Sequence, residues 1–370
     1  MSVRTRSRVP VIVVSGGLGS GKTTLLNHLL RQGMGRIGVV INDFGDINVD
    51  AFLVQGHVDA TATISGGCLC CLSDPSELDD TLALLARPSM DLDVIVVEAS
   101  GLAEPRELAR MLLSSTVTRI RFGGIVEVLD AAAWLPGPDG AIDPLPVAVD
   151  HLQVASLLVV NKDDLLHDHP EAAQRLTEAL QRHAPGTPVV RTSYGRIDPT
   201  LLFDAAERDA PTGQLSFTDL LLEHGAKDHR HDEHDHHDEA PVGADESCHD
   251  HACDHAHHRY SSVSVESPLP VDPRRLVAFL EHRAPGVYRV KGRTHVDVPG
   301  NDRQYIVQAV GGWLAFEKRP WPADTAPITQ LVAIGTGIDT EAVEEAMRAC
   351  LSEEGPLDPD RLHAMTRYTR

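Results

Sequence analysis

Three of the six cysteines lie within four positions of one another, in the stretch ISGGCLCCLSDP at residues 64–75. Cys68, Cys70 and Cys71 are too closely spaced to form a set of ordinary disulfides with one another. Two interpretations remain: a buried turn that is rich in sulfur, or a group of thiolates that binds a soft metal ion. The spacing alone does not choose between them.

The stretch GGLGSGKTT has the residue types and spacing of a phosphate-binding loop. Gly16 to Thr23 match G-x-x-x-x-G-K-[ST], and the match lies between a predicted strand and a predicted helix. Backbone N–H groups of glycines can surround phosphate oxygens, and a helix N-terminus adds partial positive charge. We expect Lys22 to reach the β and γ phosphates of a nucleotide and the Thr23 hydroxyl to bind Mg²⁺. The predicted nucleotide-binding residues of this loop are Gly16, Gly17, Gly19, Ser20, Gly21, Lys22, Thr23 and Thr24.

The base of the nucleotide is indicated by NKDD, which follows the apolar run VASLLVV. Asn161, Lys162 and Asp164 form the N-K-x-D motif of guanine-binding proteins. The Asp164 carboxylate can accept two N–H donors from guanine, and adenine would leave that acceptor unpaired. TSYG at 192–195 ends the next predicted strand, where a second guanine-contacting loop is expected. The motif therefore predicts a guanine nucleotide.

Carboxylates near the predicted phosphate loop are candidates for Mg²⁺ and catalysis. Glu98 ends the apolar run in DLDVIVVEASG, where a carboxylate can hold Mg²⁺ or a water bound to it. Asp43 and Asp46 in INDFGD fall where a nucleotide-sensing loop is expected, although either could cap the following helix or turn. The catalytic candidates are Lys22, Glu98 and Asp43, and the Mg²⁺ candidates are Thr23 and Glu98.

Ten histidines are interleaved with acidic residues, Cys248 and Cys253 in a segment without apolar periodicity. Neutral imidazoles are ready metal ligands, although a solvated acidic loop without specific function has a similar composition. The composition does not separate Zn²⁺ from Ni²⁺, Co²⁺ or Cu²⁺. The predicted auxiliary metal ligands are His229, His231, His234, His236, His237, His249, His251, His255, His257 and His258.

The elements that must position these residues alternate between strands and helices over the first part of the chain. The predicted strands are apolar on both faces, as strands buried from both sides must be, and amphipathic helices lie between them. They span Val9–Ser15, Ile37–Asn42, Asp93–Glu98, Gly124–Leu129, Val154–Asn161 and Pro188–Thr192. This alternation predicts an α/β fold with a doubly wound, mostly parallel sheet.

The rest of the chain predicts a smaller domain. After the His-rich segment, strand-like runs and two helical patterns indicate an α+β fold. We predict a nucleotide-binding domain over 1–222, a metal-binding linker over 223–260 and the α+β domain over 261–370. Structural roles are expected for Trp313 in the core of that domain, for Cys350 as a buried apolar residue, and for His28 and His183 on helix surfaces.

The composition excludes several classes of protein. The net charge of −21 argues against a nucleic-acid-binding protein, which would carry a basic face. No apolar run approaches the ~20 residues of a membrane span, so no membrane association and a cytoplasmic location are expected. Thiols stay reduced there, which favours metal binding or catalysis over disulfides. Arg4, Arg6 and Arg8 are expected to form a solvated tail.

The order of motifs resembles that of the CobW-type metallochaperone GTPases of the CobW/HypB/UreG-like P-loop superfamily. It runs GGLGSGKTT, NDFGD, GGCLCC, VVEASGLAEP and NKDD, then the His-rich segment and the small α+β domain. The cysteine motif GGCLCC, between NDFGD and VVEASGLAEP, is the most specific part of the resemblance. One difference is Asp43, since the family usually has a glutamate there.

The resemblance implies a GTPase that binds a transition metal at Cys68, Cys70 and Cys71 and delivers it to client metalloproteins. It implies nucleotide and Mg²⁺ roles for Lys22, Thr23 and Glu98, and guanine recognition by Asn161 and Asp164. The implied cofactors and cargo are GTP, Mg²⁺ and Zn²⁺. Alternatives are a cobalt chaperone for cobalamin synthesis, a nickel-insertion GTPase, and a His-rich metal buffer tuned by GTP. Whether the chain forms a homodimer stays open.

Overall fold

The structure is a computed structural model. It describes residues 8–42, 60–64, 76–99, 104–137, 141–143, 145–204, 261–322 and 325–369, with the backbone alone at 41–42 and 60–64. Asp43, Asp46, the three clustered cysteines and the ten histidines lie outside these residues. The predicted domain boundary at residue 222 also lies outside them, so the division into three parts stays a prediction.

The first half of the chain forms a seven-stranded sheet in the order β3-β2-β4-β1-β5-β6-β7, and every pairing within it is parallel. Its central strands are rich in Val, Ile and Leu because both faces are covered. The strands are β1 Val9–Gly16, β2 Ile37–Asn42, β3 Ala60–Ile64, β4 Val94–Glu98, β5 Ile120–Asp130, β6 Leu157–Asn161 and β7 Val189–Arg191.

Helices cover both faces of this sheet. Leucines of the first helix pack with Ile12 and Val14 on one face, and the other helices bury leucines against Val11 and Val13 on the opposite face or against β6. These helices are α1 Lys22–Arg31, α2 Ser76–Leu85, α3 Pro105–Ser114, α4 Val149–Val154 and α5 Pro170–His183. The predicted α/β class with a doubly wound parallel sheet is confirmed.

Two elements of this half were not predicted. The strand β3 is an alternation of Ala and Thr that lacks the apolar run of the other strands. The helix α4 has only six residues, too few to display a helical period, so its last residue, Val154, was wrongly assigned to a strand. Strand β6 begins at Leu157, after Ala155 and Ser156 leave the helix.

The second half forms a five-stranded antiparallel sheet in the order β11-β10-β9-β12-β8. The Asp272 carboxylate caps its first helix by accepting from the N–H groups of Arg274 and Arg275 at 2.8 and 3.4 Å. The strands are β8 Ser261–Ser267, β9 Val287–His295, β10 Arg303–Val310, β11 Trp313–Pro320 and β12 Thr329–Gly335. The helices are α6 Pro273–Glu281, α7 Thr340–Arg348 and α8 His363–Thr366.

The two sheets contact one another directly. Tyr288, Val310 and Ile334 of the antiparallel sheet belong to the same apolar cluster as the residues under α1. Trp313 packs edge-on against Phe122 of β5, with ring centroids 6.1 Å apart. The prediction that Trp313 lies in the core of the second domain was therefore wrong, because its ring turns to the first sheet.

The surroundings of Cys350 and His28 test the structural roles expected for these two residues. Cys350 is buried as predicted, and burial raises the pKa of its thiol to about 12. His28 lies half-buried on α1, in keeping with the expected helix-surface position, and its Nε2 makes a 3.1 Å hydrogen bond with the carbonyl of Ile197. Among the residues described, no helix has the length and apolar character needed to cross a membrane.

Gly311 and Gly312, in the turn between β10 and β11, provide a matched test of the contact between the sheets. Gly311 has φ of 51°, and a Cβ there would lie 2.8 Å from the Cα of Ser156, whereas a Cβ on Gly312 would meet nothing within 4 Å. We expect Gly311→Ala to lower the free energy of unfolding by about 2–4 kcal/mol through left-handed strain and overpacking. Gly312→Ala should change it by less than about 0.5 kcal/mol. Urea unfolding of both variants measures the difference, and equal effects would contradict the close contact.

Candidate functional site

The phosphate-loop sequence lies between the end of β1 and the start of α1. Gly16, Gly19 and Gly21 have φ angles of 149°, 74° and 102°, a region that side chains other than glycine rarely adopt. A Cβ on Gly16 would lie 2.3 Å from the carbonyl oxygen of Val128, and one on Gly21 would lie 2.1 Å from the Nδ2 of Asn161. The motif glycines are therefore required both by backbone conformation and by close packing. Gly17 and Gly19 are exposed at the surface of the loop.

Lys22 and α1 create an environment suited to an anion. The Lys22 ammonium donates to the carbonyl oxygens of Gly16 and Gly17 at 2.9 and 3.1 Å, so its charge lies over the loop. The first turn of α1 has no acidic residue, and its last turn carries His28 and Arg31. The helix dipole and the Lys22 ammonium favour negative charge at the N-terminal end. Thr24, the third residue of α1, is exposed there.

Thr23 and Glu98 meet at the same edge of the sheet. Glu98 is the last residue of β4 and is paired in register with Val14 of β1, which brings its buried carboxylate beside the loop. The Thr23 hydroxyl donates to the Glu98 Oε1 at 2.9 Å. A hydroxyl and a carboxylate are hard oxygen donors of the kind that Mg²⁺ prefers. The donor set therefore fits the predicted Mg²⁺ site.

Asn161 connects the phosphate loop with the TSYG segment. Its buried amide donates to the carbonyl of Ser20 at 2.9 Å, and its Oδ1 accepts from the N–H of Gly195 at 2.9 Å. The neighbouring Lys162 has φ of 59° and donates from its ammonium to Asp130 at 2.6 Å. Asn161 and Lys162 of the N-K-x-D motif thus hold adjacent loops in place.

Asp164 is exposed at the beginning of the turn that follows β6, with its carboxylate directed away from the core. Its backbone N–H donates to the Ser193 hydroxyl at 3.3 Å, so the N-K-x-D loop and the TSYG segment lie side by side. Tyr194 is 68% exposed, and the Arg196 guanidinium lies 5.8 Å from the centroid of its ring. The structure therefore brings the phosphate-loop residues, Glu98 and the N-K-x-D residues to one edge of the sheet.

The structure does not describe the remaining predicted site residues. Asp43, the cysteines Cys68, Cys70 and Cys71, and the histidines from His229 to His258 lie outside the described residues. Among the residues described, no group of three or more His, Cys, Asp or Glu side chains has a metal-binding arrangement. Metal binding by the clustered cysteines and by the histidines stays a prediction.

Two family models match the chain in the order expected from the motifs. Residues 10–191 match the CobW/HypB/UreG nucleotide-binding domain, and residues 260–351 match the cobalamin synthesis protein CobW C-terminal domain. The chain belongs to the CobW family. The first match covers the parallel sheet with the phosphate loop, and the second covers the five antiparallel strands with α6 and α7.

Full-length relatives of this CobW-family chain are named as zinc chaperones. The zinc chaperone CobW of Sinorhizobium sp is 29% identical over 93% of this chain and 98% of its own length. The zinc chaperone YjiA of Escherichia coli (strain K12) is 26% identical over 91% of this chain and 97% of its own length. A crystal structure of Zn(II)-bound YjiA GTPase from E. coli covers 94% of this chain and 100% of that one, at 23% identity and a TM-score of 0.38.

The CobW-family domain also has a buried polar cluster that sequence reasoning missed. Glu127 of β5 is fully buried, and its Oε1 lies 3.2 Å from the Nδ1 of His151 on α4. The Nε2 of His151 lies 3.9 Å from the carboxylate of Glu104, the residue that immediately precedes α3. The available signal was the single glutamate inside the apolar run GGIVEVLD, since a buried carboxylate needs a partner.

His151 should make stability depend on pH. Its pKa is raised because the hydrogen bond with Glu127 favours the imidazolium more strongly than burial disfavours it. A raised pKa stabilises the fold fully below the unfolded value of about 6.5, and the effect is lost as pH rises through the folded pKa. We expect His151→Gln to lower the unfolding free energy by about 1–2 kcal/mol at pH 6 and by less at pH 9.

Urea unfolding of the wild type and the variant at both pH values measures this difference. His183→Gln, at a half-buried position of α5, is the control for replacing a histidine away from this pair. A cost of His151→Gln that is equal at pH 6 and pH 9 would contradict a charged His151–Glu127 pair.

Proposed function

We propose that this CobW-family chain is a GTP-hydrolysing zinc metallochaperone that transfers the ion to client metalloproteins. The observation that carries the proposal is the meeting of Lys22, the Thr23–Glu98 pair and the N-K-x-D loop at one edge of the parallel sheet. The names of the full-length relatives support zinc as the cargo. The clustered cysteines supply thiolates, the ligand type that suits zinc.

The phosphate loop would hold the triphosphate through backbone N–H groups and the Lys22 ammonium. The two carbonyls that now accept from this ammonium belong to Gly16 and Gly17, so a small movement brings it to phosphate oxygens at the same loop. Its charge would stabilise negative charge that develops on the transferred phosphoryl group. Thr23 and Glu98 would hold Mg²⁺, which neutralises phosphate charge when bound.

Guanine selection would depend on the Asp164 carboxylate, which is exposed and borders the TSYG segment. Asn161 would act indirectly, because its amide is occupied by Ser20 and Gly195 and fixes the distance between the phosphate and base regions. The base region and the phosphate region are thereby positioned by the same buried side chain.

The proposed specificity gives a test at Asp164. Asp164→Asn exchanges an acceptor for a donor, so GTP affinity should fall by roughly tenfold or more and xanthosine triphosphate should be preferred. Nucleotide titrations and steady-state hydrolysis of GTP, ATP and xanthosine triphosphate measure the change. Asp168→Asn, exposed in the loop that follows, is the matched control and should retain GTP preference. Equal hydrolysis of ATP and GTP by the wild type would contradict the guanine assignment.

The cargo site would be formed by Cys68, Cys70 and Cys71, with the fourth coordination position kept exchangeable for transfer. In sequence, these residues lie between the segment with Asp43 and the strand that ends at Glu98. Loops of this kind in P-loop proteins are ordered by the γ-phosphate and Mg²⁺ and relax on hydrolysis. GTP would therefore complete the thiolate site, and hydrolysis would release the ion to the client. The histidines would capture ions with lower selectivity.

This coupling predicts reciprocal effects of zinc and GTP. In a variant that lacks residues 229–258, a non-hydrolysable GTP analogue should tighten zinc binding relative to GDP by roughly 5–150-fold. Zinc should tighten binding of the analogue by the same factor, because coupling free energies are reciprocal. Competition with a chromophoric chelator measures the zinc affinities.

Two variants serve as controls for the coupling. Cys70→Ser should abolish the nucleotide effect on zinc, since an alcohol is a poor substitute for a thiolate. Lys22→Ala should abolish it through loss of nucleotide binding. Equal zinc affinity with the analogue and with GDP would contradict the switch and favour a metal buffer tuned by GTP.

A further inference from the structure

An arginine-rich cavity lies at the opposite edge of the parallel sheet from the phosphate loop. It has a volume of about 270 Å³ and is bordered by the residues that precede or begin β1, β4 and β5. The edge strand β11 of the antiparallel sheet forms another wall through Glu317 and Arg319. The cavity therefore lies between the two sheets, where a bound molecule would contact both.

The charge balance of this cavity is positive, in a chain whose net charge is −21. Four arginines line it against two carboxylates. Glu317 is held by the Arg319 guanidinium at 2.8 Å, and Asp91 lies 3.9 Å from the guanidinium of Arg36 outside the cavity. The three remaining arginines form no salt bridge with a carboxylate in the described part of the chain, and they are Arg8, Arg87 and Arg119.

Arg8 had been expected in a solvated tail, and the structure corrects that expectation. It immediately precedes β1 and is half-buried. The N–H of the next residue, Val9, donates to the carbonyl of Arg119 at 2.8 Å, which holds the two chain segments together. Arg8 and Arg119 are therefore brought to one wall of the cavity by pairing of β1 with β5.

A second pair of arginines lies deeper between the sheets. Arg121 follows Arg119 by two residues along the extended chain and interacts electrostatically with Glu317, a residue of the cavity wall. The fully buried Arg289 donates from Nη2 to Asp204 at 2.8 Å, but its Nε and Nη1 have no hydrogen-bond partner among the described residues. The buried Arg121 Nε likewise has none.

This deeper region is short of negative charge. Burial, followed by repulsion from Arg289, lowers the pKa of Arg121 to about 9. Asp204 is hydrogen-bonded to Arg289 and Lys291 and also interacts electrostatically with Arg121, so one carboxylate serves three cations. Buried guanidinium N–H groups without a hydrogen-bond partner are costly, and an anion between the sheets would compensate them.

We infer that this cavity binds a small anion with two or more phosphate or carboxylate groups. Guanidinium groups present paired N–H donors that match the oxygens of both groups. The small volume admits a compact molecule, and the negative charge of the whole chain disfavours an extended polyanion such as nucleic acid. The inference does not depend on the proposed GTPase cycle, because the cavity and the phosphate loop lie at opposite ends of β1.

Calorimetric titration of the full-length protein tests the site. The protein is first saturated with GDP and Mg²⁺ so that the phosphate loop is occupied, and all solutions contain the same excess of Mg²⁺. Inorganic pyrophosphate and succinate are the probes, and they distinguish a phosphate ligand from a carboxylate ligand. We expect one equivalent of at least one probe to bind per chain, with affinity that falls as salt is added.

Three charge-reversal variants locate the binding. Arg119→Glu and Arg87→Glu, both at exposed positions of the cavity rim, should weaken binding by roughly tenfold or more. Arg182→Glu, at an exposed position on α5 away from the cavity, should bind as the wild type does. Circular dichroism and GDP affinity confirm that each variant is folded.

Two results would overturn the inference. One is the absence of saturable binding of either probe to the wild type. The other is equal loss of affinity in Arg182→Glu and in the two cavity variants, because that would show attraction to any surface arginine. Unchanged GTP hydrolysis alongside either result would leave the proposed GTPase function unaffected.

Discussion

The buried amide of Asn161 is the constraint on which the arrangement of the nucleotide site depends. It donates to the phosphate loop and accepts from the segment after β7, so two loops from opposite sides of the site have a common reference point. Gly21 allows this contact, since any side chain there would collide with the amide. Because Asn161 ends a fully buried strand, its position is fixed by the core and not by solvent-exposed loops.

The parallel sheet brings the other residues of the nucleotide site next to Asn161. Parallel strands end at the same edge, so Gly16 of β1, Glu98 of β4 and Asn161 of β6 come together although they are far apart in the sequence. The glycines then determine which backbone path is possible between β1 and α1. Ligand recognition at this edge therefore follows from strand order and from backbone angles that few residues can adopt.

The sequence predicted the elements whose signal is local and missed features that depend on tertiary contact. A few consecutive residues are enough to identify a buried strand with continuous Val, Ile and Leu. The same is true of glycines within a recognisable phosphate-binding loop. Trp313 and Arg8 were misplaced because each is turned towards the other half of the chain, which local patterns do not encode. The His151–Glu127 contact joins residues 24 positions apart and requires knowledge of where α4 packs. Six-residue helices such as α4 are too short to show a period.

The burial of Cys350 has a practical consequence for studies of the cysteine motif. Its thiol lies in the core of the antiparallel sheet domain, and burial raises its pKa to about 12, so almost none of it is ionised near neutral pH. Alkylating reagents attack the thiolate and require access. Any cysteine that is labelled in the native protein is therefore one of the other five of the six in the chain. Cys350 therefore serves as an internal standard in a labelling experiment. Labelling of Cys350 reports loss of the fold. Labelling of the other five thiols reports only the state of Cys68, Cys70, Cys71, Cys248 and Cys253.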